Sequence, residues 1–290
     1  MKKILVTGAK GQLGKEISLL KKMMPGTRFY FMDIDEMDIR DAKEVNRTIK
    51  GIKPDYLVNC AAYTAVDRAE KEGKEAFAVN AAAVKNMVDA ATTVPGLKLI
   101  HISTDFVFDG KRKSPYPEDA RTAALSVYGK SKEAGERYAL SYPHAMIIRT
   151  SWMYSGHGGN FVKTVLKLSG ERDAINVVYD QTGTPTWAAD LAAAVLNIIK
   201  LAIKDDKNFL PGIYHYSNEG QCTWYEFACE IKKIMGLDIK IMPVSTAEYP
   251  LPALRPSYSV LRLDKIKNTY NIEIPSWQYS LEKFLKSKKL

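Results

Sequence analysis

Tyr128 and Lys132 stand four residues apart in Tyr128-Gly-Lys-Ser-Lys132, so on a helix they project from one face. A cation held beside a phenol favours the phenolate, and the Tyr128 pKa is expected to fall from about 10 toward neutrality. A phenol tuned in this way is a usable proton donor or acceptor. Just upstream, Ser103-Thr-Asp-Phe-Val-Phe-Asp-Gly110 offers the hydroxyl of Thr104 from the end of a strand, which completes a donor set around a carbonyl. Thr104, Tyr128 and Lys132 are therefore the candidate catalytic residues. With 16 tyrosines in 290 residues, the Tyr–Lys spacing takes its weight from what precedes it.

What precedes it is a strand, a glycine turn and a helix. Lys3–Thr7 is a short apolar run with β-branched members, and Thr7-Gly-Ala-Lys-Gly-Gln-Leu-Gly14 opens a helical pattern through Ile17, Leu19 and Leu20. In that setting Gly8 allows a tight turn, Gly11 lets backbone amides approach a pyrophosphate, and Gly14 lets helix and strand pack closely. The helix N-terminus adds the positive end of its dipole. The spacing Gly-x-x-Gly-x-x-Gly points toward short-chain-type reductases. A second strand, Arg28–Asp33, ends in an acid about 20 residues past the glycines, where a ribose-binding carboxylate belongs. Asp33 favours the free hydroxyls of NAD, while Arg40 is close enough in sequence to meet a 2′-phosphate, so NADPH and NADH both stay open. Asp38-Ile39 either flanks the adenine or is a loop before the helix Asp41–Ile49.

The alternation continues. Tyr56-Leu-Val-Asn-Cys-Ala-Ala62 is a third strand, and the small Ala61 and Ala62 at its end would let a dinucleotide cross the sheet edge. A helix over 74–92 leads to a fourth strand, Lys98–Ser103, which delivers Thr104 and Asp105 to that edge. A helix over 125–142 carries Tyr128 and Lys132, and Ala145–Ser151 is the next strand. Such a series predicts an α/β fold with a doubly wound parallel sheet. After Trp152 the pattern loosens into a smaller mixed lobe. The expected division is 1–152 plus a helix at about 188–203 for the dinucleotide, and 153–187 with 204–290 for the substrate. The strand Gly212–Ser217 is assigned to that second lobe.

Composition bounds the rest. At 46% hydrophobic and 26% charged, the chain has the means to bury a sizeable core. No apolar run reaches the roughly eighteen residues of a membrane span, and the opening Met1-Lys-Lys-Ile-Leu-Val reads as a strand rather than a signal peptide. The three cysteines, Cys60, Cys222 and Cys229, lack metal-type spacing and read as reduced thiols of a cytoplasmic protein. The four histidines are scattered, and no metal ligand set is expected. The net charge of +9 is spread along the chain apart from the run Lys283–Leu290, read as a solvated tail, so neither nucleic acid nor membrane is an expected partner.

With these residues in hand, the chain resembles the extended short-chain dehydrogenase/reductases over essentially its whole length. Within them it is similar to the branch that reduces dTDP-4-dehydro-β-L-rhamnose. The most specific pieces are Asn59-Cys-Ala-Ala-Tyr-Thr-Ala-Val-Asp67, Ser103–Phe108, Tyr128–Lys132, Arg149-Thr-Ser-Trp-Met-Tyr154, Asp180-Gln-Thr-Gly-Thr-Pro-Thr186 and Arg255-Pro256. The resemblance implies that Gly11, Gln12 and Leu13 cover the pyrophosphate, with Asp33, Asp38 and Ile39 around the adenosine. It places Ala62, Tyr63 and Thr64 along the dinucleotide, with Tyr128 and Lys132 at its nicotinamide end. Thr104, Asp105, Val107, Tyr128 and Trp152 would face a dTDP-sugar, joined by Asn160 and Arg255, the latter at the diphosphate. Some members dimerise through Mg²⁺ held by acidic residues. Glu16 matches one ligand position but Ala189 stands at another, so no structural Mg²⁺ and a monomer or weak homodimer are expected.

The implied reaction is reduction of the C4 ketone, with hydride from NADPH or NADH and the proton from Tyr128. Two other readings stay open. One is another nucleotide-sugar epimerase or dehydratase of the same group, although Thr104-Asp105-Phe106 offers a dehydratase only one acid. The other is a non-catalytic regulatory subunit with a reductase-like fold.

Overall fold

The structure, a computed structural model, describes residues 1–287. Its first half is an alternation of strand and helix: β1 (Lys2–Thr7), α1 (Gln12–Leu20), β2 (Thr27–Met32), α2 (Ala42–Ile52) and β3 (Tyr56–Asn59). Short helices α3 (Val66–Ala69) and α4 (Gly73–Phe77) follow, then a π-helical turn (Ala78–Ala82) running into α5 (Ala83–Ala91). After these come β4 (Lys98–Thr104), α6 (Val127–Leu140) and β5 (Ala145–Thr150). Ile4, Leu5, Val6, Leu57, Val58, Leu99 and Ile100 are all buried, the near-continuous apolar pattern of strands covered on both faces.

The second half runs β6 (Met153–Tyr154), α7 (Phe161–Ser169), β7 (Ala174–Val178), β8 (Thr182–Gly183), β9 (Thr186–Trp187) and α8 (Ala188–Lys204). It closes with β10 (Gly212–His215), β11 (Cys222–Thr223), α9 (Trp224–Met235), β12 (Lys240–Val244), α10 (Asp264–Tyr270) and α11 (Trp277–Lys286).

The main sheet has six strands in the order β10-β5-β4-β3-β1-β2, all parallel. This is the doubly wound sheet expected from the sequence. Crossing from β3 to β4 on one side of β1 and to β2 on the other creates the switch point at which ligands bind. One placement differs from expectation. Gly212–His215 belongs to the main sheet, pairing with β5, and not to the C-terminal lobe. The apolar helix α8 carries the chain back over the sheet against α1, joining the core of Ile4, Val6, Ile17 and Ile100, and so returns the chain to the free edge of β5. The α10 residues Ile266 and Tyr270 join the same core.

The lobe beyond the sheet has its own core, in which Tyr154 packs edge to face on Phe284 and Phe227 on Trp277, with Trp187 tilted against Phe284. The basic run expected to be a solvated tail is in part α11, whose Phe284 and Leu285 are buried; Lys288–Leu290 lies outside the described residues. Among the described residues, no helix is long and apolar enough to cross a membrane.

One buried ion pair fixes the helix that matters most. Glu136 of α6 accepts hydrogen bonds from Arg149 Nε and Nη2 of β5 (2.8 and 2.7 Å) and from the Ser103 hydroxyl of β4 (2.6 Å). Both side chains are at most 4% exposed. Removing one partner of such a pair strands a buried charge. Glu136→Gln should lower the unfolding free energy by about 3–5 kcal/mol in urea titrations, whereas the paired change Glu136→Leu with Arg149→Met should lose less.

Candidate active site

A cavity of ≈ 570 Å³ opens at the carboxyl edge of β1, β2 and β3. Gly8, Gly11, Gln12, Leu13, Asp33, Asp38, Ile39, Ala61, Ala62, Tyr63 and Thr64 all line it, so these of the expected cofactor residues are brought together, whereas Tyr128 and Lys132 are not among its walls. Gly14 does not line it but makes it possible, since a Cβ there would sit 2.4 Å from the Gly8 carbonyl oxygen. Gly8 has φ +65°, and a Cβ on it would meet the Ala61 nitrogen at 2.6 Å. At Gly11, the N-cap of α1, no side chain caps the helix, which leaves its first amides free for an anion.

These features fit a dinucleotide. The amides at Gly11–Leu13 would take the pyrophosphate, and the cavity continues toward Asp33 on one side and Ala61–Thr64 on the other. Asp33 Oδ2 accepts the Lys10 amide (2.7 Å), and its Oδ1 accepts that of Ile34 (3.0 Å). Arg40 also lines the cavity, held by Asp38 (2.8 Å) and Glu75 (2.6 Å). A carboxylate held by two backbone amides and a guanidinium held by two carboxylates thus share this end of the cavity. Tyr63 is fixed through its backbone, its N–H donating to Asn80 Oδ1 (2.9 Å) and its carbonyl accepting from Asn80 Nδ2 (3.0 Å).

The catalytic candidates lie one strand over. Ser126 caps α6 by accepting the Gly129 amide (3.1 Å), and Glu70 accepts the Val127 amide (2.9 Å), so the helix begins with Tyr128 fixed in its first turn. Tyr128 packs edge-on to Phe106, and its phenol lies beside the Thr104 hydroxyl. The Lys132 ammonium is buried and donates to the Ile102 carbonyl (2.6 Å). Here the expectation of a lowered Tyr128 pKa is overturned. Burial pushes the phenol up to about 12, Asp105 adds to the rise, and only the Thr104 hydroxyl opposes it. Lys132 points at the strand carbonyl rather than the phenol, and burial lowers its own pKa to about 8.

The Thr104 hydroxyl donates to Asp105 Oδ1 (3.1 Å) and accepts the Phe106 amide (3.2 Å). Burial raises the Asp105 carboxyl to about 6, against the pull of Ser259 and Thr104. Among the other substrate candidates, Val107 does not face a cleft: its side chain is fully buried against Phe108, Tyr116 and Leu261. Asn160 caps α7 and also donates from Nδ2 to Gln12 Oε1 (3.1 Å), which ties the lobe to the glycine turn. Trp152 has φ +44°, a strained conformation for an indole side chain, and lies flat on Trp224 with ring centroids 3.6 Å apart. Gly183 makes room for it, since a Cβ there would be 2.5 Å from the indole. Arg255 is bound to Asp67 (2.7 Å) rather than open to solvent.

Sequence reasoning missed Met153, Gly158 and Gly159 as cavity walls, although the glycine-rich Ser155–Asn160 loop carried a signal. Nothing in the chain marked Ser259 or Trp224. Glu16 is buried on α1 with His157 Nε2 4.0 Å away, and among the described residues no three His, Cys, Asp or Glu side chains converge on a metal position.

The chain was compared with known proteins. The family model described as the RmlD substrate binding domain matches residues 1–290. A dTDP-4-dehydrorhamnose reductase of Sinorhizobium fredii is 40% identical, the match covering 98% of this chain and 96% of that one. The crystal structure of a dTDP-4-dehydrorhamnose reductase from Clostridium acetobutylicum superposes with a TM-score of 0.92 at 40% identity, over 99% of this chain and all (100%) of that one. One from Bacillus anthracis, in complex with NADP, gives 0.92 at 38% identity, over 99% and 100%. Shared length, shared sheet and shared motifs agree, and the chain belongs to the RmlD substrate binding domain family, that of the dTDP-4-dehydrorhamnose reductases.

Proposed function

We propose that this chain reduces the C4 ketone of dTDP-4-dehydro-β-L-rhamnose to dTDP-L-rhamnose with NADPH or NADH, the last step of dTDP-rhamnose formation. The reductase names of relatives near 40% identity and the NADP complex of a close structural neighbour support it. The observation that carries it in this molecule is a buried phenol with a raised pKa beside a hydroxyl, on the strand edge next to a cavity lined by the glycine turn, Asp33 and Ala61–Thr64.

The residues lining that cavity would hold a reduced nicotinamide, whose chemistry would be to supply the hydride for C4. Tyr128 gives its phenolic proton to the ketone oxygen as negative charge gathers there. A phenol held well above neutral pH keeps that proton until the oxygen needs it. The phenolate left behind lies in a buried pocket and needs a cation. Lys132, four residues on along the same helix, is the charge at hand, and turning its ammonium from the Ile102 carbonyl toward the nicotinamide ribose and the phenol would serve both. Thr104 orients the ketone. Asp105, while ionised, sets the direction of the Thr104 hydroxyl by accepting its hydrogen bond. Trp152, stacked on Trp224, would meet the sugar.

The chain is proposed to work as a monomer or weak homodimer without a bridging metal, since Ala189 brings no ligand atom to the position where some relatives hold Mg²⁺. Its sedimentation coefficient should be unchanged by EDTA, and a chelator-sensitive dimer would overturn this.

Loss of reduced-nicotinamide absorbance with the dTDP-sugar tests the reaction. Tyr128→Phe should slow it by about a hundredfold or more with little change in cofactor affinity; a variant within a factor of a few of wild type would remove Tyr128 from its role. The rate should fall as pH rises through about 8, where Lys132 gives up its proton. Lys132→Arg, charged throughout, should move that fall to higher pH.

A further inference from the structure

The segment from Ala253 to Leu261 is laced across the catalytic edge. Thr182 of β8 holds it on both sides, its N–H donating to the Ser257 carbonyl (2.8 Å) and its carbonyl accepting the Ser259 amide (2.8 Å). The Ser257 hydroxyl donates to the Gly110 carbonyl (3.0 Å), Ser259 leans on Asp105, and Tyr116 pairs its backbone with Val260 and Arg262 (2.8 Å each). From Ser257 onward the strap is therefore tied by its backbone. On its other side, Leu251 and Leu254 are exposed. Between the two stretches, where Ala253 and Pro256 are buried, the polar link to the first lobe runs through one carboxylate. Asp67 of α3 accepts Arg255 Nη1 (3.0 Å), Arg255 Nη2 (2.7 Å) and the Ala253 amide (3.2 Å).

That link sits close to the chemistry. Three residues beyond Asp67, Glu70 accepts the amide of Val127, which directly precedes Tyr128. Solvent reaches the link mainly from the carboxylate side, the Arg255 side chain being 17% exposed and that of Asp67 37%. The guanidinium meets Asp67 through two parallel hydrogen bonds, and a diphosphate offers the same two-pronged acceptor geometry with more negative charge.

We propose that Asp67 and Arg255 form a latch, in which Asp67 competes with the diphosphate of the sugar nucleotide for the Arg255 guanidinium. This rests on the reading above that a dTDP-sugar is the substrate. Entry of the diphosphate draws Arg255 off the carboxylate, frees the Ala253 end of the strap, and leaves Ser257–Leu261 in place around Asp105. Asp67 thereby makes binding selective, because only a ligand that outcompetes a carboxylate opens the latch.

The test is calorimetry of the NADPH-loaded chain with thymidine diphosphate, with thymidine as the ligand that lacks the anion. Asp67→Asn should bind thymidine diphosphate about three- to fivefold more tightly than wild type, the range a weak exposed pair corresponds to. Thymidine affinity, and NADPH affinity measured separately, should not move, which separates the sugar-nucleotide diphosphate from the cofactor's own. Arg255→Gln should weaken thymidine diphosphate about tenfold or more, and the double variant should match it, since no guanidinium remains to compete for. If Asp67→Asn binds thymidine diphosphate more weakly than wild type or equally well, the competition is refuted, and that variant alone decides it should Arg255→Gln not fold. A wild type that neither binds thymidine diphosphate nor turns over the dTDP-sugar overturns the functional reading and the latch with it. Normal turnover with an unmoved Asp67→Asn overturns the latch alone.

Discussion

The candidate site depends on how closely α6 lies against its neighbours. A Cβ at Gly129 would be 2.3 Å from the Phe106 carbonyl oxygen, and one at Gly135 would be 2.0 Å from that of Asn80. Side chains at either position would push the helix off the sheet. With glycine at both, α6 settles between the loop after β4 and the π-helical turn before α5, and Glu136 ties it to β4 and β5. Tyr128 and Lys132 ride on the face so buried. Their positions are set by backbone approach and one ion pair, well before any ligand arrives.

Burial then sets their electrostatics. Moving a phenol and an ammonium out of water penalises the charged form of each, so the Tyr128 pKa rises and the Lys132 pKa falls. Each change amounts to on the order of 3 kcal/mol. Helical spacing correctly put the two side chains on one face, but it carries no information about which acceptor a flexible lysine selects. In this state that acceptor is the Ile102 carbonyl, and desolvation outweighs the attraction assumed from spacing alone. A raised pKa keeps the Tyr128 phenol protonated in the resting state, as the proposed proton transfer requires.

Much of the cofactor side was legible because its chemistry is backbone chemistry. Gly8, Gly11 and Gly14 are needed where chain meets chain, and such requirements appear as residue types at fixed spacing. The sheet was legible for the same reason, through apolar runs alternating with helical periods. The substrate side was harder to read. The short strand Gly212–His215 has nothing in its composition to show that it pairs with β5, because that partner is chosen by where α8 lands. Val107 and Asn160 lie in recognisable motifs, yet one fills a core and the other caps a helix. The partner of Arg255 is 188 residues away in sequence, a distance across which local pattern is silent.

The π-helical turn at Ala78–Ala82 has a consequence for insertions and deletions. It holds one residue more than a regular helix needs over that span, and this surplus sets the phase between α4 and α5. Asn80, inside the turn, clasps Tyr63 on the cofactor side, while its backbone receives Gly135 on the other. Deleting a single residue here would restore ideal helical hydrogen bonding and rotate everything beyond it by about 100°. Local geometry would improve as the clasp on Tyr63 and the seat of α6 were lost together. A helix defect of one residue is thus a point at which chain length, more than side-chain identity, maintains the registry between the cavity wall at Tyr63 and the helix that carries Tyr128.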